Sequence, residues 1–183
     1  MAEDAQWSGG PLAEFTALRA EVLQSQAQQV TLYNFQLTTT GGLLIFAPSR
    51  EGLWPLLLVI PFTSYFLYGR YCAISIAMHR IARYIRDVLD PAIPGGLGWE
   101  HWLVKSNLPH TTRVAWGNTV GVAFHGASLL SLVLALPSTF FSWPSMSPLR
   151  VAELVGWPLG AAIFALTLIL DRRYRNALSE CKR

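Results

Sequence analysis

The sequence predicts an all-α, polytopic membrane protein: a four-helix transmembrane bundle with an amphipathic N-terminal helix and a long second helix that extends into the cytoplasm. Three observations carry this. Apolar residues make up 52% of the 183 and charged residues only 14%, where soluble domains carry about 25% charged residues. The apolar residues gather in runs close to the roughly 20 residues that cross a hydrocarbon core. The basic residues lie almost entirely on one side of those runs.

Residues 1–11 are acidic and contain glycine. No basic n-region or following apolar run marks a signal peptide, so the segment reads as a disordered leader. Residues 12–29 suit an amphipathic helix, with Leu12, Phe15, Leu18 and Val22 on one face and Glu14, Arg19, Glu21 and the glutamines toward water. Such a helix lies on a membrane or packs on another cytoplasmic helix, and residues 74–90 are the natural partner.

Residues 30–47 form the first and most polar span. Asn34, Gln36 and Thr38 to Thr40 are costly toward lipid, so they are expected to face other helices. A polar lining for an ion or solute path is the sharper alternative, and a segment that does not cross is the third. Pro48 to Glu51 make an external turn.

Residues 52–72 are the second span. Trp54 marks one interface and Tyr65, Tyr68 and Tyr71 the other, with Pro61 expected to kink the helix in mid-span. Beyond Arg70 the same helix becomes amphipathic. Ile74, Met78, Ile81, Ile85, Val88 and Leu89 recur on one face, and Arg80, Arg83 and Arg86 lie off it. Arg83/Asp87 and Arg86/Asp90 are spaced as i,i+4 ion pairs. A continuous helix from 53 to 90 would be roughly 55 Å long, so its last third stands in water or on headgroups. The three arginines read as contacts to anionic headgroups and a topology signal, or as a docking face for a cytoplasmic protein partner.

Residues 73–115 make the cytoplasmic helix and loop. In the loop Trp99 and Trp102 bracket Glu100 and His101, which suits an interfacial anchor. With His110 these invite a metal site, but no HExxH or CxxC spacing supports one, and no cofactor is expected. Residues 116–136 are the third span. Asn118, His125 and Ser128 share a stripe with Gly121, and His125 is the span's one ionisable side chain. The stripe is either structural polarity inside the bundle or a polar path. Residues 137–150, with three prolines, form an external loop. The fourth span, 151–170, leads into a basic cytoplasmic tail, 172–183.

Gly117/Gly121 and Gly156/Gly160 are GxxxG pairs suited to helix packing. Counting from the span ends predicts that Gly160 lets the backbone approach His125, and that Gly117 and Gly121 serve another contact, between subunits of a homo-oligomer. With the N-terminus inside, only Arg50 and Arg150 of the 14 Lys and Arg lie outside, which fixes both termini in the cytoplasm. Cys72 and Cys181 fall on that side and are too few for a disulfide scaffold.

LRAEVLQ (18–24), RIARYIRDVLDP (80–91) and GLGWEHWL (96–103) resemble a loose family of small bacterial four-span integral membrane proteins, over about residues 12–103. The resemblance implies a bacterial inner-membrane location and no activity. The layout also resembles small membrane effectors of bacterial defence systems.

No nucleophile motif, phosphate loop or metal spacing points to an enzyme. The basic residues trace topology and do not form a nucleic-acid groove. The expectation is a non-catalytic membrane protein that self-associates and presents a basic helical face to a partner. An oligomeric pore or small-solute transporter is the alternative.

Overall fold

The computed structural model describes residues 2–49, 53–93, 98, 110–140 and 148–181. Of 2–8, 110–118, 138–140, 148–150 and 180–181 it describes the backbone alone. The described residues are helical almost throughout, with no strand among them. Four long helices lie among the described residues: α1 (Ala2–Phe46), α2 (Val59–Tyr84), α3 (His110–Phe140) and α4 (Pro148–Cys181). A 3₁₀ turn, Trp54–Leu58, leads into α2. A π-turn, Ile85–Leu89, and a last helical turn, Asp90–Ala92, carry it on.

Several boundaries differ from the sequence expectation. The leader, the amphipathic helix and the first span are one 45-residue helix, about 67 Å long at 1.5 Å per residue. Ala2, Glu3, Asp4 and Ala5 explain the early start: alanine is the best helix former, and acids suit a helix N-terminus. Pro61 does not break a mid-span helix. Because Trp54–Leu58 is 3₁₀, Pro61 falls in the first turn of α2, where a missing N–H costs no α-helical bond. The loop expected at 94–115 ends at His110, where α3 begins. The loop expected at 137–150 is shortened from both sides, since α3 runs through Pro137 to Phe140 and α4 starts at Pro148, a residue pre-set for a first helical position. The basic tail is helical to Cys181. Arg50, Trp99, Glu100, His101 and Trp102 lie outside the described residues.

Among the described residues three helices are long and apolar enough to cross a membrane: Trp54–Ala92, Thr119–Pro137 and Val151–Ser179. The segment 30–47 is not among them, so a fourth span does not follow from composition. Its polar residues explain why. Gln36 and Thr40 are buried as expected, whereas Asn34 and Thr38 are exposed.

α2 is the hub and packs against each of the other three helices. One core cluster joins Ala47, Leu57, Leu58, Ile60, Leu132 and Ala135; a second joins Tyr68, Cys72 and Phe124. The exterior is apolar over a limited height. Large apolar residues are exposed on α4 from Val151 to Ile169, a rise of about 27 Å, close to a hydrocarbon thickness of about 30 Å. Large exposed apolar residues become sparse at one level on three helices: before Val30 on α1, where Leu23 and Leu12 remain, beyond Phe66 on α2, where Tyr84 and Val88 remain, and beyond Ile169 on α4. Hydrogen bonds from Gln29 to the Tyr71 carbonyl (3.4 Å) and from Tyr68 to Asp171 (2.5 Å) set these residues level with one another.

Inward of that level α1 and α2 continue together as an antiparallel hairpin. Pro11, Phe15, Leu18, Val22, Ser25 and Gln29 of α1 are half-buried at helical spacing, and Tyr84 donates to Glu14 at 2.9 Å. The docking expected between residues 12–29 and 74–90 is therefore present. Leu12, 54% exposed, falls off the shared face. So does Val88: the π-turn adds a residue to its turn, which keeps Ile85 and Leu89 inward and leaves Val88 50% exposed.

Candidate functional site: a carboxylate shared by three helices

Ser64, Tyr68 and Ser75 lie on one face of α2, and each binds another helix through its hydroxyl. The outermost, Ser64, accepts from Gln36 Nε2 of α1 at 2.8 Å, and the same amide donates to Thr40 at 2.9 Å. The middle one, Tyr68, donates to Asp171 Oδ1 of α4 at 2.5 Å. The innermost, Ser75, pairs with the Tyr174 hydroxyl at 2.7 Å.

Asp171 is the centre. Its carboxylate is buried, and Arg175, one turn on, binds Oδ2. Arg175 remains 63% exposed, so the pair sits at the edge of the packed interior with its cation in contact with solvent. His125 comes from α3, with Nε2 4.0 Å from Asp171 Oδ2. Its ring meets Tyr68 edge-on at 5.1 Å and Phe164 at 6.5 Å. Both of its ring nitrogens are buried without a hydrogen-bond partner. Gly121 gives the room: a Cβ there would lie 3.7 Å from the Tyr68 hydroxyl and 4.0 Å from the imidazole. The arrangement brings a carboxylate, the Arg175 guanidinium and an imidazole to one point. No cluster of three or more metal-ligating side chains exists among the described residues.

Of the predicted stripe, the side chains of His125 and Ser128 are described. His125 joins the carboxylate. Ser128 is fully buried and donates to the Phe124 carbonyl of its own helix at 3.0 Å. The side chain of Asn118, like Gly117, lies outside what is described.

The glycine register is also corrected. Gly160 does not approach His125; it faces Leu132 and Pro61, at 3.2 and 3.7 Å from where its Cβ would be. Gly156 faces Leu58 at 3.0 Å, and Gly121 lies beside Tyr68 and His125 of the same chain. The error has one source. Asp171 reads as the charged end of the fourth span, but it is drawn inward to Tyr68, which moves α4 along α3 by about two turns, roughly 10 Å.

Of the three arginines, Arg80 and Arg83 are exposed and Arg86 is half-buried. Arg83 and Arg86 converge on Asp87 at 3.7 and 2.8 Å. Sequence reasoning missed Asp171, Tyr68 and Arg175. A carboxylate closing an apolar run, with arginine at i+4, was the available signal. Comparison with family models, curated proteins and solved structures finds no match.

Proposed function

We propose that this chain is a non-catalytic integral membrane protein that self-associates and presents a basic helical face to a cytoplasmic protein partner. One observation carries the reading: the α1–α2 hairpin continues past the level where large exposed apolar residues become sparse on three helices. There it holds Arg80 and Arg83 outward on a braced support. A helix pair tied by Tyr84 and Glu14 and packed through Phe15, Leu18 and Val22 loses little freedom when a partner docks.

In this reading α1 supplies a fourth crossing beside the three apolar helices. Its Gln36 and Thr40 face Ser64 and one another rather than lipid. Both termini lie in the cytoplasm of a bacterial inner membrane, in keeping with the charge asymmetry and the family resemblance. Self-association uses the outward small residues Gly41, Gly42 and Gly126, which have open space where a Cβ would be and would admit another helix closely. Reversing the charge of Arg80, Arg83 and Arg86 to glutamate is expected to release co-purifying protein while the chain still extracts with the membrane. Unchanged co-purification would overturn the partner reading.

His125 favours a second reading, a pore or small-solute transporter. A bare imidazole 4.0 Å from a carboxylate suits a relay. Ion flux from liposomes decides it. Flux that is abolished by His125→Ala supports a path, and silence in wild type removes it.

A further inference from the structure

We infer that the groove around Arg70, between α1 and α2, is a binding site for the headgroup of an anionic phospholipid. The inference rests on the membrane reading above.

Arg70 is exposed and lies at the level where large exposed apolar residues become sparse. Among the described residues it has no ion-pair partner. It lines an open groove of about 430 Å³ with Gln24, Gln28, Thr31, Leu32 and Ile74. The lining is divided. Ile74, 7% exposed, and Leu32 make an apolar floor, while Arg70, Gln24 and Gln28 make a polar rim. Thr31 spends its hydroxyl proton on the Ala27 carbonyl at 2.9 Å, so it offers an anion nothing. The two glutamine amides make no hydrogen bond within the described chain and remain available as donors. A guanidinium with two nearby amides is a donor set for a phosphate diester: the planar fork takes two phosphate oxygens together, and the amides suit headgroup hydroxyls.

An adjoining groove of about 290 Å³ shares Arg70, Gln24, Gln28 and Ile74 but adds Glu21 in place of Leu32. That carboxylate opposes an anion, which assigns the phosphate to the larger groove. The apolar floor decides between a free phosphate and a lipid. Inorganic phosphate gains nothing from Ile74 and Leu32, whereas a lipid's glycerol and first methylenes cover them. Val30, 59% exposed beside the groove, extends the apolar surface along which an acyl chain would run.

The test is native mass spectrometry of the full-length protein released from vesicles of equal phosphatidylglycerol and phosphatidylcholine, after flotation of each variant with its vesicles. Wild type is expected to float and to retain phosphatidylglycerol in preference to phosphatidylcholine. Arg70→Gln should float and lose about tenfold in that preference, the size of one charge-assisted contact. Gln24→Ala/Gln28→Ala should lose less, and Arg80→Gln should match wild type. The double glutamine variant decides the matter should Arg70→Gln not fold. Variants that float and keep full preference would overturn the site and leave the membrane reading intact. Protein that does not float would overturn both. Displacement of the lipid by millimolar inorganic phosphate would overturn the lipid in favour of a simple anion site.

Discussion

Ser64 and Tyr68 lie one turn apart on the same face of α2, and each ties it to another helix, yet the two ties differ in kind. Ser64 meets an amide in a fully enclosed, neutral tier: Gln36 is 1% exposed and Ser64 0%. Tyr68 meets a carboxylate whose cation is still in solvent. The difference follows from desolvation. A neutral amide can be buried once its hydrogen bonds are made, while a charge in apolar surroundings costs several kcal/mol even when paired. The charge is therefore set where large exposed apolar residues become sparse, and the neutral pair within the apolar height.

Substitutions along the helices break or sharpen that contrast, measured by reversible unfolding in mixed micelles unless stated. The largest effect is expected from Asp171→Ala, which strands the Tyr68 hydroxyl and Arg175 and should cost about 2–3 kcal/mol. Asp171→Asn keeps an acceptor for Tyr68 and should cost less. Equal losses would mean that the charge, not the hydrogen bond, holds α2 to α4. Next is Gly160→Val, which forces a branched side chain against Leu132 and should cost about 1–3 kcal/mol by overpacking. If it were silent, the register that brings Asp171 to Tyr68 would be wrong. Gln36→Leu removes the neutral tie and should cost about 1 kcal/mol, the scale measured for such bonds between membrane helices; a loss as large as that of Asp171→Ala would erase the distinction between tiers. The smallest change is Tyr84→Phe. The Tyr84–Glu14 bond is exposed, so global unfolding should not move, but amides of Ile85–Ala92 should exchange faster with solvent. Unchanged exchange would mean that this bond does not brace the extension.

Much of the fold was legible because it rests on periodicity. The length of the second helix, its amphipathic end and the docking of 12–29 onto it all follow from apolar residues at helical spacing, and Phe15, Leu18, Val22, Ile74, Ile85 and Leu89 face inward as read. The register between α3 and α4 was not legible. It depends on where Asp171 points, and a charged residue at the end of an apolar run reads as a boundary whether it turns outward or inward. The first turns of α1 were missed because glycine and acid composition suggest disorder, while local alanines favour helix. At the site, His125 could be found as an ionisable group in an apolar run. Tyr68 could not, since a tyrosine near an interface is an ordinary feature of any span, and Arg175 only through its i+4 spacing from Asp171.

The central claim is that α1 passes through the apolar layer beside the three apolar helices, with the hairpin on the cytoplasmic side. Labelling single cysteines with a membrane-impermeant maleimide tests it most directly, in right-side-out cells of a Cys72→Ser/Cys181→Ser background. Ser49→Cys is expected to react from outside, and Gln26→Cys only after the membrane is opened. Leu37→Cys and Ile45→Cys, both outward-facing on the chain, should stay unreactive in either condition because lipid covers them. Leu37→Cys reacting as readily as Gln26→Cys once the membrane is opened would contradict the account, since it would put water, not lipid, against that face of α1.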